Sequence, residues 1–214
     1  MEEGLVSVDR FCTGSQAYFL THLHQDHTRG LASAGGWRHG PLYCSPTTAR
    51  LLPARFPGID ASLLRPLSPG ASASLSLSSD SSDRPLSLRV TAIPALHCPG
   101  MLPSPSPPLP IRSLHALLYT AGSELLTRGA IRRRSWSLRS GSLMYLFRGD
   151  LGCMLYTGDF RWELGCDRAR RAKQALLDAL GGDTVDLLYL DNTYCHPSLN
   201  FPPRPVVAEQ VSFA

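Results

Sequence analysis

The sequence predicts an α/β fold. Short, mostly apolar runs at 17–20, 142–147 and 185–190, and the apolar–polar alternation of 86–96, have the length and composition of strands. Residues 168–180 set Ala172, Ala175, Leu176, Ala179 and Leu180 at helical spacing. Several strand runs lead straight into His or Asp, so polar side chains gather at strand ends. With 214 residues, 43% of them apolar, the chain is long enough for one domain with a substantial core.

Taken in order, 5–9 reads as a short strand that ends in the carboxylate of Asp9. Gly14 and Ser15 mark a turn, and 16–21 is the next strand. The loop after it holds His22, His24, Asp26 and His27, and a short helix is expected to open at Thr28. Strand 41–44 leads to Ser45 as N-cap and Pro46 at the first helical position of a helix expected to stop at Pro53. Alternation over 73–77 suggests an edge strand, 78–83 a loop, and 86–96 a strand that ends at His97. Residues 142–147 and 153–157 form a hairpin through Gly149 and Gly152, and the second strand ends at Asp159. Gly181 and Gly182 close the helix of 168–180. A buried strand over 185–190 then ends at Asp191, and 206–211 looks like the first turns of a helix.

Composition excludes some classes. A net charge of +4 permits a polyanionic partner without arguing for one. No apolar run reaches the length of a membrane span, and the acidic start, Met1 to Gly4, lacks the features of a signal peptide. Cys12, Cys44, Cys98, Cys153, Cys166 and Cys195 form no CxxC pair, so free thiols are expected rather than a cysteine-based structural zinc site. Residues 101–140 begin proline-rich and end with the basic Arg132, Arg133, Arg134 and Arg139. Most of this stretch is expected to be a disordered or poorly packed insertion with a weak helix over 113–126; its basic run reads as a solvated loop before a nuclear-targeting or nucleic-acid patch.

The strand ends carry the chemistry. Imidazole and carboxylate at the end of a buried strand are costly unless paired, and a divalent metal is the usual partner. His22, His24, Asp26, His27, His97 and Asp159 offer nitrogen and oxygen donors suited to zinc. The two-residue spacing of His22 and His24 is not helical and can put both rings on one side of an extended segment. Asp26 and His27, beyond the turn, can serve a second metal, and two metals bridged by a carboxylate make a hydrolytic centre. His39, His115 and His196 match no such pattern and read as surface residues.

These residues carry a resemblance. Thr21-His22-Leu23-His24-Gln25-Asp26-His27 resembles the HxHxDH signature of the metallo-β-lactamase superfamily. His97, in His-Cys-Pro-Gly, and Asp159, in Tyr-Thr-Gly-Asp-Phe-Arg, resemble its third and fourth motifs. Leu188-Tyr189-Leu190-Asp191-Asn192-Thr193-Tyr194-Cys195 resembles the first motif of the β-CASP branch, in the form found in DNA cross-link-repair nucleases. The resemblance implies an αββα sandwich, incomplete at the C-terminus, in which His22, His24, His97 and Asp159 hold one zinc. Asp26, His27 and a bridging Asp159 would hold a second, Asp9 would brace the histidine loop, and Asp191 would be the β-CASP acidic residue near the site. Asp26, His27, Asp159 and Asp191 are the residues expected to act in catalysis, with Asn192 and Thr193 helping to seat the DNA backbone. A plain strand-end cap is the alternative for Asp191.

The implied activity is zinc-dependent 5′-3′ exodeoxyribonuclease action in the nucleus, in cross-link repair, double-strand break repair or telomere end processing. DNA with 5′-phosphorylated or damaged ends would be the substrate, repair or telomere proteins possible partners, and no membrane is involved. The alternatives are a β-CASP RNA-processing endonuclease, a thioesterase-like hydrolase, which the Asp191 segment disfavours, and a non-catalytic DNA- or partner-binding fragment. Two departures from the family matter. Gly100 and Gly141-Ser142 look like two edges of one continuous motif, parted by retained non-coding sequence or a lineage-specific loop. The chain is also expected to be a truncated form: metallo-β-lactamase residues 1–100 and 141–195, the insertion 101–140 between them, and the start of a β-CASP region at 196–214. One well-held zinc and a weak second site are therefore expected, with apolar faces left exposed.

Overall fold

Two sheets collect the strands. The first is parallel throughout, in the order β1 (Val6–Val8), β2 (Ala17–Phe19), β3 (Leu42–Cys44), β4 (Leu64–Pro66). The second runs β5 (Ser72–Ser79), β6 (Ser82–Pro94), β7 (Leu143–Gly149), β8 (Gly152–Tyr156), β9 (Leu187–Tyr189). Its pairs are antiparallel except the last, where β9 lies parallel to β8. The computed structural model describes residues 4–32, 36–79, 82–98, 141–163, 165–196, 198–199, 201–202, 206–207 and 209. The insertion expected over 101–140, with its basic run, its weak helix and His115, lies outside these residues.

The central strands can be this apolar because both of their faces are covered. Val6, Val8, Ala17 and Phe19 of the first sheet share a core with Val90, Ala92, Tyr145 and Phe147 of the second. Phe19 meets Tyr145 and Phe147 edge-on, at 5.0 and 5.1 Å between ring centroids. On its other face the first sheet packs Tyr18, Leu20 and Leu42 against Ala49 and Leu52 of α1 (Pro46–Arg55). The other face of the second sheet packs Met144, Leu146 and Leu155 against Leu176, Ala179 and Leu180 of α2 (Asp167–Leu180).

Most expected elements are present, with informative differences. Ser45 caps α1 through Thr48 N at 3.1 Å, but the helix passes Pro53 instead of stopping there. The missing N–H of Pro53 falls near the helix end, and Phe56 N still reaches Leu52 O at 2.8 Å, so the loss stays local. No helix opens at Thr28. Successive turns form instead, with His27 N on His24 O and Leu31 N on Thr28 O. Gly30, at φ +94°, brings the chain so close to Phe11 that an added Cβ would lie 2.1 Å from its carbonyl oxygen. The loop expected over 78–83 is mostly strand, since β5 runs to Ser79, paired with Ser82 of β6. Backbone pairing at an exposed edge tolerates serine, and β5 is the edge strand of its sheet, as expected. The strand β4 has too few residues to show a period and escapes sequence reading.

The strand β9 is not buried as the sequence suggests. Leu187, Leu188 and Leu190 are 43%, 49% and 54% exposed. It ends the sheet, and among the described residues only β8 pairs with it. A continuous apolar run looks the same in sequence whether its faces are covered or open. Of the helix expected over 206–211, Val206, Val207 and Glu209 are helical and the other residues lie outside the description. All six cysteines are free, and no helix among the described residues is long and apolar enough to cross a membrane.

Candidate metal centre

Each candidate ligand is delivered by the end of a strand and tied down by a neighbour. After β2 the chain continues through Leu20, Thr21 and His22, all fully buried. Asp9, just past β1, adopts φ +53° and turns its carboxylate onto this segment. Its Oδ1 accepts from Thr21 N at 2.8 Å, and its Oδ2 from Thr21 Oγ1 at 2.7 Å and His27 Nδ1 at 2.8 Å. Three donors on one carboxylate hold both ends of the histidine loop together. His97 follows β6 on a tight turn whose preceding residue, Leu96, has φ +59°. Ser142 Oγ accepts from His97 N at 2.9 Å and from Cys98 N at 3.3 Å. The next residue, Leu143, donates its N–H to Thr21 O at 3.0 Å, which links that turn to the histidine segment. Asp159 follows β8 through Gly158, while Thr157 N is held by Tyr189 O at 3.0 Å.

These supports bring His22, His24, His97 and Asp159 together, with one donor atom of each lying within 4.8 Å of the others. His22 Nε2 and His24 Nδ1 are 2.8 Å apart, and His24 Nδ1 and His97 Nε2 3.2 Å. Asp159 Oδ2 lies 3.6 Å from His22 Nε2 and 3.4 Å from His97 Nε2. A tetrahedral zinc with bonds of ~2.0–2.1 Å separates its ligand atoms by about 3.3 Å. Both the spacing and the donor chemistry, three imidazole nitrogens and one carboxylate oxygen, fit such an ion.

The remaining candidates lie beside this group rather than in it. Asp159 turns its other oxygen, Oδ1, to His27 Nε2 at 3.2 Å, and Asp26 Oδ2 stands 3.4 Å from the same nitrogen. Asp159 thus faces the trio of His22, His24 and His97 with one oxygen and His27 with the other. Asp191 does not join either set. Its Oδ1 accepts from Thr193 N at 3.0 Å and Thr193 Oγ1 at 2.7 Å, and its own N–H donates to Thr157 Oγ1 at 3.0 Å. It does share with His27, Asp159, Tyr156 and Asn192 the lining of an open cleft of about 460 Å³. His39 and His196 are exposed, as expected.

Burial shapes the electrostatics. Desolvation, reinforced by the nearby His27, His24 and His97, pushes the pKa of His22 down from 6.5 to about 3. His22 is therefore neutral at neutral pH, the form that binds metal. Burial also works to lower His27, but the hydrogen bond to Asp9 and the charges of Asp9, Asp159 and Asp26 outweigh it and hold its pKa above the usual value. Tyr156 is pushed up to about 12 by burial and by Asp9 and Asp159, so it faces the cleft as a neutral phenol.

Sequence reading missed Thr21 and Ser142, which join the ligand-bearing segments. Neither has a signal of its own, since a hydroxyl beside a motif is common. Only its tertiary partners distinguish it.

No protein-family model matches the chain. Known proteins do. Over 202 residues, the chain is 32% identical to 5′ exonuclease Apollo of Danio rerio, covering 94% of this chain and 26% of that one. It is 31% identical over 198 residues to DNA cross-link repair protein SNM1 of Arabidopsis thaliana, covering 92% and 28%. The chain belongs to the Apollo, SNM1 and Artemis family. Protein artemis of Homo sapiens is 30% identical over 207 residues, 90% of this chain and 23% of the relative. The chain spans about a quarter of the length of these family members.

Proposed function

We propose that the chain is a zinc-dependent nuclease that removes nucleotides from the 5′ ends of DNA, acting in DNA repair in the nucleus. The observation that carries this reading is the convergence of His22, His24, His97 and Asp159 in a chain related to Apollo and SNM1. Two sheets sharing a core, each with a helix on its other face, support reading the fold as the metallo-β-lactamase αββα sandwich.

His22, His24, His97 and Asp159 Oδ2 would hold the first zinc. Asp26, His27 and Asp159 Oδ1 would hold a second, more weakly, because Asp26 is largely exposed and the set has only three protein donors. Bound metal would supply Lewis acidity toward a phosphate oxygen and make water a better nucleophile. The protein's own residues do the positioning. Asp9 fixes His27 by accepting a hydrogen bond from its Nδ1–H, which leaves Nε2 facing Asp159 and Asp26. The cleft beside Asp159 is open enough to admit a strand end. Tyr156 offers a neutral hydroxyl there and Asn192 an amide. Both donors of Thr193 go to Asp191, so Asn192 is the better placed of the two to meet a phosphate. Asp191 would act as the acidic residue at the rim of this cleft.

The test is to incubate the purified chain with 5′-phosphorylated single-stranded DNA, with RNA and with a thioester, each with and without chelator. Chelator-sensitive shortening of the DNA from its 5′ end is the expected result. Cleavage of RNA alone would favour the RNA-processing reading. Retention of DNA with no turnover of any substrate would make the chain a binding protein instead.

A further inference from the structure

Thr21 lies between the carboxylate of Asp9 and the ring of His22, and its hydroxyl has a single proton to give. Its shortest contact is 2.7 Å, to Asp9 Oδ2, a carboxylate oxygen that accepts. The backbone N–H of Thr21 already occupies Asp9 Oδ1, so the two groups are locked face to face. The proton of Oγ1 therefore points to Asp9. Its lone pairs are left facing His22 Nδ1 at 3.0 Å and, more distantly, His27 Nδ1 at 3.5 Å. A ring nitrogen opposite a lone pair is favourable only when that nitrogen carries hydrogen.

We infer that Thr21 is a positioning residue that makes His22 carry its proton on Nδ1, so that the Nε2 lone pair is turned toward His24, His97 and Asp159. The reverse arrangement, with Thr21 donating to His22, would set two bare oxygens 2.7 Å apart at Asp9. The inference deepens the metal-centre reading and rests on it for its consequence, not for its geometry. Thr21 also touches the loop that carries Asp159. An added Cβ at Gly158 would lie 2.7 Å from Thr21 Cγ2 and 2.9 Å from Oγ1. One side chain therefore sets the tautomer of His22 and seats the residue before Asp159. Groups that orient a metal-bound histidine from outside commonly change metal affinity by about 10–100-fold when removed.

The experiment compares wild type, Thr21→Val and Thr21→Ser in the full chain. Long-range proton–nitrogen NMR of the ¹⁵N-labelled, metal-free protein reads which nitrogen of His22 is protonated, and titration with Zn²⁺ alone reads affinity. The expected result is an Nδ1–H tautomer for His22 in wild type and in Thr21→Ser. Thr21→Val keeps the shape but lacks the hydroxyl, and should lose that tautomer preference and bind zinc about 10–100-fold more weakly. An Nε2–H tautomer in wild type, or wild-type zinc affinity in Thr21→Val, overturns the inference. If the wild-type chain binds no zinc, the metal-centre reading fails and the tautomer measurement still decides the role of Thr21. If Thr21→Val does not fold, the wild-type and Thr21→Ser spectra decide it.

Discussion

The histidine loop and the β9 segment are built from similar sequence and packed in opposite ways. Each is an apolar run followed by a polar turn with a carboxylate, Asp26 in one and Asp191 in the other. The first is sealed: Leu20, Thr21 and His22 are fully buried, and Asp9, Ser142 and Leu143 tie the surrounding turns to them. The second is open, with its leucines half exposed and Asp191 hydrogen-bonded to Thr193 and Thr157. A metal site needs ligands fixed before the metal arrives, and only the first region meets that need. The contrast also explains why four ligands converge closely while Asp191 stays at the cleft wall.

Mutations should separate the two regions, and the largest effect is expected in the sealed one. His24→Ala removes the imidazole that lies close to both His22 and His97, and should lower zinc affinity by more than the roughly 100-fold typical of outer partners. Competition with a fluorescent zinc chelator measures this. Asp191→Ala, in the open region, should leave zinc affinity unchanged in the same assay while lowering any nuclease rate.

Acid should come next. The folded-state pKa of His22 is depressed from 6.5 to about 3, so the unfolded chain takes up a proton that the native protein refuses. The metal-free protein should therefore lose stability as pH falls from about 6.5 toward 3. His27 acts with the opposite sign: its pKa is raised, so its contribution is present below 6.5 and lost as pH rises through the folded value. Urea unfolding across this range should show the acid loss in wild type and a flatter profile in His22→Gln.

Smaller effects should follow from backbone and surface. Gly158→Ala, at φ +50° against Thr21, should cost about 1–3 kcal/mol in the same unfolding assay. Leu188→Ser on β9 should change stability by only about 0.5 kcal/mol. It should nonetheless slow aggregation as followed by light scattering, because an exposed apolar edge strand is a template for pairing.

The same contrast marks what could be read from the sequence. The α/β class was legible because strand and helix periods are local properties, as in β6, β7 and α2. Strand ends made a wider set legible, Asp9, His22, His24, Asp26, His27, His97, Asp159 and Asp191. The resemblance to the metallo-β-lactamase motifs set His22, His24, His97 and Asp159 apart as one group, the four that the structure brings together. The exposure of β9 was not, because burial depends on what a strand packs against. Thr28 failed to start a helix because Gly30 must pass close to Phe11, a contact invisible to local pattern. Thr21 and Ser142 were missed for the same reason: their importance lies in hydrogen bonds to segments distant in sequence.

Zinc stoichiometry of the purified chain, measured by plasma mass spectrometry on wild type and His24→Ala, tests the central claim most directly. One tightly held zinc per wild-type chain, lost in His24→Ala, is the predicted result. A wild-type chain without zinc, or with two tightly held zincs, or a variant that retains its zinc, would contradict the account.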